Sequence, residues 1–149
     1  MNNGKIAVLF EELADIMEIA GENYFKIKAY RNAYVTISHL PQWLDQMPSE
    51  KIIDIPGIGK AIYEKIQAAL KSGTFPTLEK WRQNGFASFR PLLAMPDMNM
   101  RKLRTLIKSF NLSTIEDLKN AVFGEKRPQS NAIDENIRMK LMTFMERIK

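Results

Sequence analysis

Apolar residues recur at helical spacing through almost the whole chain. Ile6, Leu9, Phe10, Leu13, Ile16, Met17 and Ile19 line one face of a first helix that Gly21 ends, and Ile27, Tyr30, Ala33, Tyr34 and Ile37 line a second over 24–40. A short helix follows near 42–47, and Ser49 is placed to cap another that stops before Pro56. Ile58, Ile62 and Ile66 then trace a helix over 58–72 that Gly73 closes, and Pro76 opens a further short helix that Asn84-Gly85 breaks. The pattern resumes over 100–110. Ser113 and Glu116, at capping-box spacing, start another helix that runs to Phe123. After a polar loop at 124–131, Ile133, Ile137, Leu141, Phe144, Met145 and Ile148 mark a last amphipathic helix, with Asp134 and Glu135 as favourable acids at its start. No stretch alternates as a strand would.

One junction carries more than packing. In Ile53-Asp54-Ile55-Pro56-Gly57-Ile58-Gly59-Lys60, proline stops the preceding helix, two glycines free the backbone, and a new helix begins at once. The first amides of that helix have no internal partners, and glycine lets an anion approach them, aided by the helix dipole. This is a helix-hairpin-helix pattern, and it predicts a contact to one nucleic-acid phosphate that reads no base. Leu93-Ala94-Met95-Pro96-Asp97-Met98-Asn99 repeats it weakly, with Asp97 and Asn99 in place of the glycines. Asn99 tolerates a left-handed conformation, but Asp97 sets a carboxylate where a phosphate would come, so the second hairpin should keep its shape and lose most of its phosphate affinity. The expectation is an all-α protein of two small tandem helical domains, 1–80 and 85–149, each with a helix-hairpin-helix motif, the second degenerate.

Composition narrows the chemistry. There is no cysteine and one histidine, which excludes disulfides and thiolate metal sites and disfavours an imidazole-built one; His39 reads as a cap or surface residue. Apolar runs are too short to cross a bilayer and no signal-peptide layout opens the chain, so the expected location is the cytoplasm, with the nucleoid. Residues 1–80 hold 9 Lys+Arg against 10 Asp+Glu (−1), and residues 81–149 hold 13 against 7 (+6). Broad attraction for a polyanion therefore belongs to the second half, while the first half would bind by local geometry. No paired-carboxylate, Ser/His/Asp, P-loop or D-x-D arrangement appears, which leaves lysine as the candidate for chemistry. Lys65 stands on a different helical face from the Ile58, Ile62, Ile66 stripe, two turns past the phosphate loop. It would act as a nucleophile if desolvation or a neighbouring cation, such as Lys26 or Lys28, lowered its pKa.

The blocks Tyr24-Phe25-Lys26-Ile27-Lys28-Ala29-Tyr30-Arg31-Asn32-Ala33 and Pro56-Gly57-Ile58-Gly59-Lys60-Ala61-Ile62-Tyr63-Glu64-Lys65 resemble the amino-terminal region of family X DNA polymerases, especially bacterial ones. The degenerate hairpin and Ser113-Thr114-Ile115-Glu116-Asp117-Leu118 resemble that family's fingers subdomain. The resemblance implies a lyase-type domain on the 5′-phosphate side of a DNA gap, followed by a second helical domain. It assigns Phe25 to stacking on a template base, Lys26 to phosphate, Tyr30 to the phosphate pocket, and Gly57, Ile58, Gly59 and Lys60 to the hairpin contact. Lys65 takes the place of the lysine that forms a Schiff base with the opened sugar of a 5′-deoxyribose phosphate, and the carbonyls of Ile53, Ile55 and Ile58 would hold Na+ or K+. Ala61 and Thr77 stand where the family's pocket has further lysines. The family's palm, with its metal-binding aspartates, and its phosphoesterase domain have no counterpart in these 149 residues.

Three functions follow from these readings. The first is a monomeric module that binds gapped, nicked or 5′-phosphorylated DNA ends without sequence preference, in DNA repair, with repair proteins as further partners and no cofactor requirement. The second is a lyase acting through Lys65. The third is a protein-interaction remnant in which the hairpins only pack.

Overall fold

A computed structural model describes residues 2–123 and 135–147. The loop at 124–131, Ile133, Asp134 and Ile148 lie outside the described residues. All the regular elements described are helical, as the periodicity predicts, and they fall into two compact units, Met1–Gln83 and Asn84–Lys149.

The first unit holds α1 (Asn3–Ile19), α2 (Tyr24–Ser38), a 3-10 turn (Leu44–Gln46), α3 (Ser49–Ile53), α4 (Lys60–Ser72) and α5 (Pro76–Arg82). The apolar stripes meet in one core: Ile6, Phe10 and Leu13 of α1 are buried with Ile37 of α2, Ile52 of α3, Ile66 of α4 and Leu78 of α5. Phe10 is the hub, its ring stacked 5.1 Å from Phe75 and 6.2 Å from Tyr30. Polar ties fix the helices around this core. The buried Asn3 side chain donates to the Gln42 carbonyl at 2.7 Å and accepts the Leu44 N–H at 2.9 Å, securing the 3-10 turn to the start of α1. Arg31 of α2 pairs with Asp15 and Glu18 of α1 at 2.7 and 2.9 Å, and Arg82 of α5 grips Glu12 of α1 with two hydrogen bonds of 2.6 and 2.8 Å.

Some predicted ends move. The segment 42–47 forms only the 3-10 turn, and the cap of α3 is Pro48, with Ser49 already inside the helix and no side-chain cap bond. Proline's fixed extended geometry makes the entry that the Ser49 hydroxyl was expected to make. His39 caps the end of α2, where its Nδ1 lies 2.8 Å from the Val35 carbonyl.

The second unit holds a long 3-10 stretch (Gly85–Ala94), α6 (Met100–Phe110), α7 (Ile115–Phe123) and α8 (Glu135–Arg147) around buried Phe89, Leu92, Leu103, Leu118, Val122, Leu141 and Met145. The 3-10 stretch meets the α7 entrance closely: a Cβ on Gly85 would sit 2.7 Å from the Ser113 carbonyl oxygen, and the Ser88 hydroxyl accepts the Ile115 N–H at 2.8 Å. The α7 capping box lies one residue later than the sequence suggests. Because Ile115 is the first helical residue, Thr114 is the cap: the Asp117 N–H donates to the Thr114 hydroxyl at 3.3 Å while the Asp117 carboxylate accepts from the Ser113 and Thr114 amides at 2.8 and 3.1 Å. Glu116 instead pairs with Lys119 at 3.4 Å.

Candidate nucleic-acid interface

The loop between α3 and α4 is tightened by two short backbone bonds, from Ile55 N–H to the Ile52 carbonyl at 3.1 Å and from Ile58 N–H to the Ile55 carbonyl at 3.0 Å. Gly57, at φ +91°, turns the chain in a region that side chains resist. Its Cβ position would be 3.3 Å from the Thr36 hydroxyl of α2, so the loop also lies close against that helix. Ile58 drives its side chain into the core, leaving only its backbone for a ligand. Gly59 then caps α4 in an ordinary extended conformation (φ −85°, ψ 178°), without a side-chain cap bond, and a Cβ there would meet nothing within 4 Å. The first α-type bond of this junction runs from Tyr63 N–H to the Gly59 carbonyl at 2.9 Å. The amides of Lys60, Ala61 and Ile62 therefore precede the ladder at the positive end of the helix dipole, with no side-chain cap on them and open space beside Gly59. Lys60, exposed, adds a full charge at the mouth.

The second hairpin has the same backbone and the opposite accessibility. Met95 N–H donates to the Leu92 carbonyl at 3.0 Å, Met98 N–H to the Met95 carbonyl at 3.1 Å, and Leu103 N–H to the Asn99 carbonyl at 2.9 Å, matching the first hairpin bond for bond. The left-handed residue is Asp97, at φ 64°, rather than Asn99, which is extended at φ −147°. Asn99 is instead the cap: its side chain accepts the Lys102 N–H at 2.9 Å and so occupies the place an anion would take. The Lys102 ammonium folds back onto the Asp97 carbonyl at 2.7 Å, and Lys140 approaches the Asp97 carboxylate at 3.7 Å. The second hairpin is shaped for a phosphate and closed by its own side chains.

Around the first hairpin, the other candidates divide between surface and core. Phe25 and Lys26 open α2 in solvent, with Phe25 77 % exposed. Tyr24 beside it is 67 % exposed, and the two rings meet edge to face at 5.8 Å. Sequence reasoning passed over Tyr24, which stands with Phe25 on the exposed first turn of α2. Tyr30 is half-buried on Phe10, and the Lys65 ammonium lies over its ring, 5.7 Å from the centroid. These two predicted pocket residues are thus brought together by α2 and α4. Arg31, from the same block, is committed to Asp15 and Glu18 and serves the fold. No group of three or more His, Cys, Asp or Glu side chains able to hold a metal occurs among the described residues, nor any helix long and apolar enough to cross a membrane.

Comparison with known proteins agrees with this geometry. Residues 1–75, half of the chain, match the helix-hairpin-helix domain family. The chain belongs to that family. It is also 30% identical over 126 residues to the DNA polymerase/3′-5′ exonuclease PolX of Bacillus subtilis (strain 168), a match that takes in 85% of this chain and 22% of that protein. The chain thus spans about a fifth of the length of this relative. Together the two matches fit the amino-terminal region of a family X polymerase, the resemblance carried by the Tyr30 and Gly57 blocks.

Proposed function

We propose that this protein is a DNA-binding module that takes a 5′-phosphorylated strand end, at a gap or nick, onto the amides of Lys60, Ala61 and Ile62. The observation that carries the reading is the uncapped, unobstructed start of α4 beside the Gly57 turn, in a chain whose second hairpin has the same backbone but is capped. Such a contact positions a backbone and specifies no base. Lys26 and Lys60 supply charge, and the exposed Phe25 ring offers a face to an unpaired base, as at a gap. A monovalent cation on the carbonyls of Ile53, Ile55 and Ile58 belongs to the same proposal, since Na+ and K+ take oxygen ligands; the Ile55 carbonyl, which accepts the Ile58 N–H, keeps one lone pair for it. The module would act as a monomer on nucleoid DNA in the cytoplasm, alongside other repair proteins. Fluorescence anisotropy across a salt series tests this: gapped duplex with a 5′-phosphate should bind more tightly than the same duplex without it, with affinity falling steeply as salt rises. Equal affinity for the two ends would refute the end-recognition claim.

A second reading, a 5′-deoxyribose-phosphate lyase, draws on the placement of Lys65 over Tyr30. The contact holds the Lys65 side chain in place beside Tyr30, and Schiff-base formation further requires that its amine attack the sugar aldehyde as the neutral form. Borohydride trapping on a 5′-deoxyribose-phosphate end decides it: a covalent adduct lost in Lys65→Ala supports the lyase, and no adduct in the unaltered protein removes it.

A further inference from the structure

The second hairpin, closed to phosphate, borders a cavity of about 590 Å³ that it shares with α6 and α8. Met95, Met98, Leu106 and Ile137 give it an apolar floor, and Arg101, Lys102 and Lys140 stand at its rim. A second cavity of about 340 Å³ shares Met95, Pro96 and Lys140 with the first and continues along α8 past Met139 and Phe144 to Arg147. The two cavities adjoin at these shared residues and form successive parts of one face. Met95 and Leu106 lie buried at its base, while Met139, 60 % exposed, and Ile137, 38 % exposed, present apolar surface to solvent.

The lining selects among ligands. A nucleic-acid backbone would meet the Asp97 carboxylate and a helix start already satisfied by Asn99. Among the described lining residues the larger cavity, at the hairpin, has no aromatic ring on which a base could stack, and the smaller has one, Phe144. Methionine and aliphatic side chains instead suit the varied apolar side chains of a peptide, because the unbranched thioether adapts its shape. Among the described lining residues, Arg101, Lys102, Lys140 and Arg147 outnumber one carboxylate, Asp97, which Lys140 already approaches, so the complementary partner is acidic.

We propose that this grooved face docks an acidic amphipathic peptide segment of a partner protein, with apolar residues at i, i+3, i+4 and i+7 on the methionine floor and carboxylates over the basic rim. The proposal is independent of the first hairpin. Random-peptide phage selection on the full chain, followed by anisotropy with the enriched peptide, tests it. Acidic amphipathic peptides should be enriched, and their affinity should fall about tenfold or more in the exposed double variant Arg101→Glu/Lys140→Glu and in Met139→Glu, both shown folded by circular dichroism. Gly59→Asn, on the first hairpin, should leave peptide affinity unchanged. Failure to enrich acidic peptides, equal affinity in the groove variants, or displacement by a single-stranded oligonucleotide as effective as by unlabelled peptide would each overturn the assignment, the last in favour of nucleic acid.

Discussion

The contrast between the two hairpins defines a substitution that should separate binding from folding. Gly59→Asn copies the second hairpin into the first: at position 99 the asparagine side chain caps α6 by accepting the amide three residues on, at 2.9 Å. The equivalent amide in α4 is that of Ile62. Position 59 is extended and has nothing within 4 Å of a Cβ, so asparagine fits there without strain. Asparagine and glycine differ at a helix cap by only a few tenths of a kcal/mol, so thermal stability should be unchanged or slightly raised. Binding should respond differently. The capping oxygen would take one amide from the phosphate and stand in its path. Loss of one charge-assisted hydrogen bond costs about 1.5–3 kcal/mol, or about 10- to 150-fold in affinity. Anisotropy with 5′-phosphorylated gapped DNA reads the loss, and a melting curve confirms the fold. Unchanged affinity in a folded Gly59→Asn protein would refute the claim that the α4 amides hold the phosphate.

Gly57→Val acts on the fold instead: a β-branched residue at φ +91°, with its Cβ 3.3 Å from the Thr36 hydroxyl, should cost about 1–3 kcal/mol, seen as a lower urea midpoint. Asn3→Ala should cost about 1–3 kcal/mol by leaving the buried Leu44 amide unpaired, while DNA affinity stays at the unaltered level; a stability equal to wild type would contradict the latch. Glu79 is held below its ordinary value of 4.5, first by the Thr74 hydroxyl and then by Arg82. Its contribution is therefore present above that value and lost as pH falls through the depressed one, so Glu79→Gln should flatten the acid limb of the stability–pH curve, and an unaltered limb would refute it.

What the sequence disclosed is what local chemistry determines. The first hairpin was legible because a turn of that shape beside a helix start favours glycine at position 57, and the helices because burial imposes its period on Ile6 to Ile19 and Tyr30 to Ile37. The purpose of Gly59 was only half legible: its backbone angles suit any residue, and its value lies in the absent side chain. Asn3 escaped notice because a polar residue at a helix start reads as solvated, whereas its partners Gln42 and Leu44 are brought to it by tertiary packing. The stretch Gly85–Ala94 gave no helical signal since a 3-10 helix has another period and includes Pro91. The α7 cap slipped by one because Ser113/Glu116 and Thr114/Asp117 satisfy the same spacing, and only the position of Ile115 chooses between them. The weakness of the second hairpin for phosphate was legible from Asp97, but its closure by the Asn99 side chain was not, because that depends on side-chain direction, which spacing does not encode.

Amide NMR provides the most direct test of that difference. In a titration of the 15N-labelled protein with 5′-phosphorylated gapped DNA, the Lys60, Ala61 and Ile62 amides should show the large shifts expected of direct phosphate contacts, while the Met100, Arg101 and Lys102 amides at the start of α6 stay near their free positions. Shifts centred on α6, or equal at both helix starts, would contradict the assignment of the first hairpin as the phosphate site.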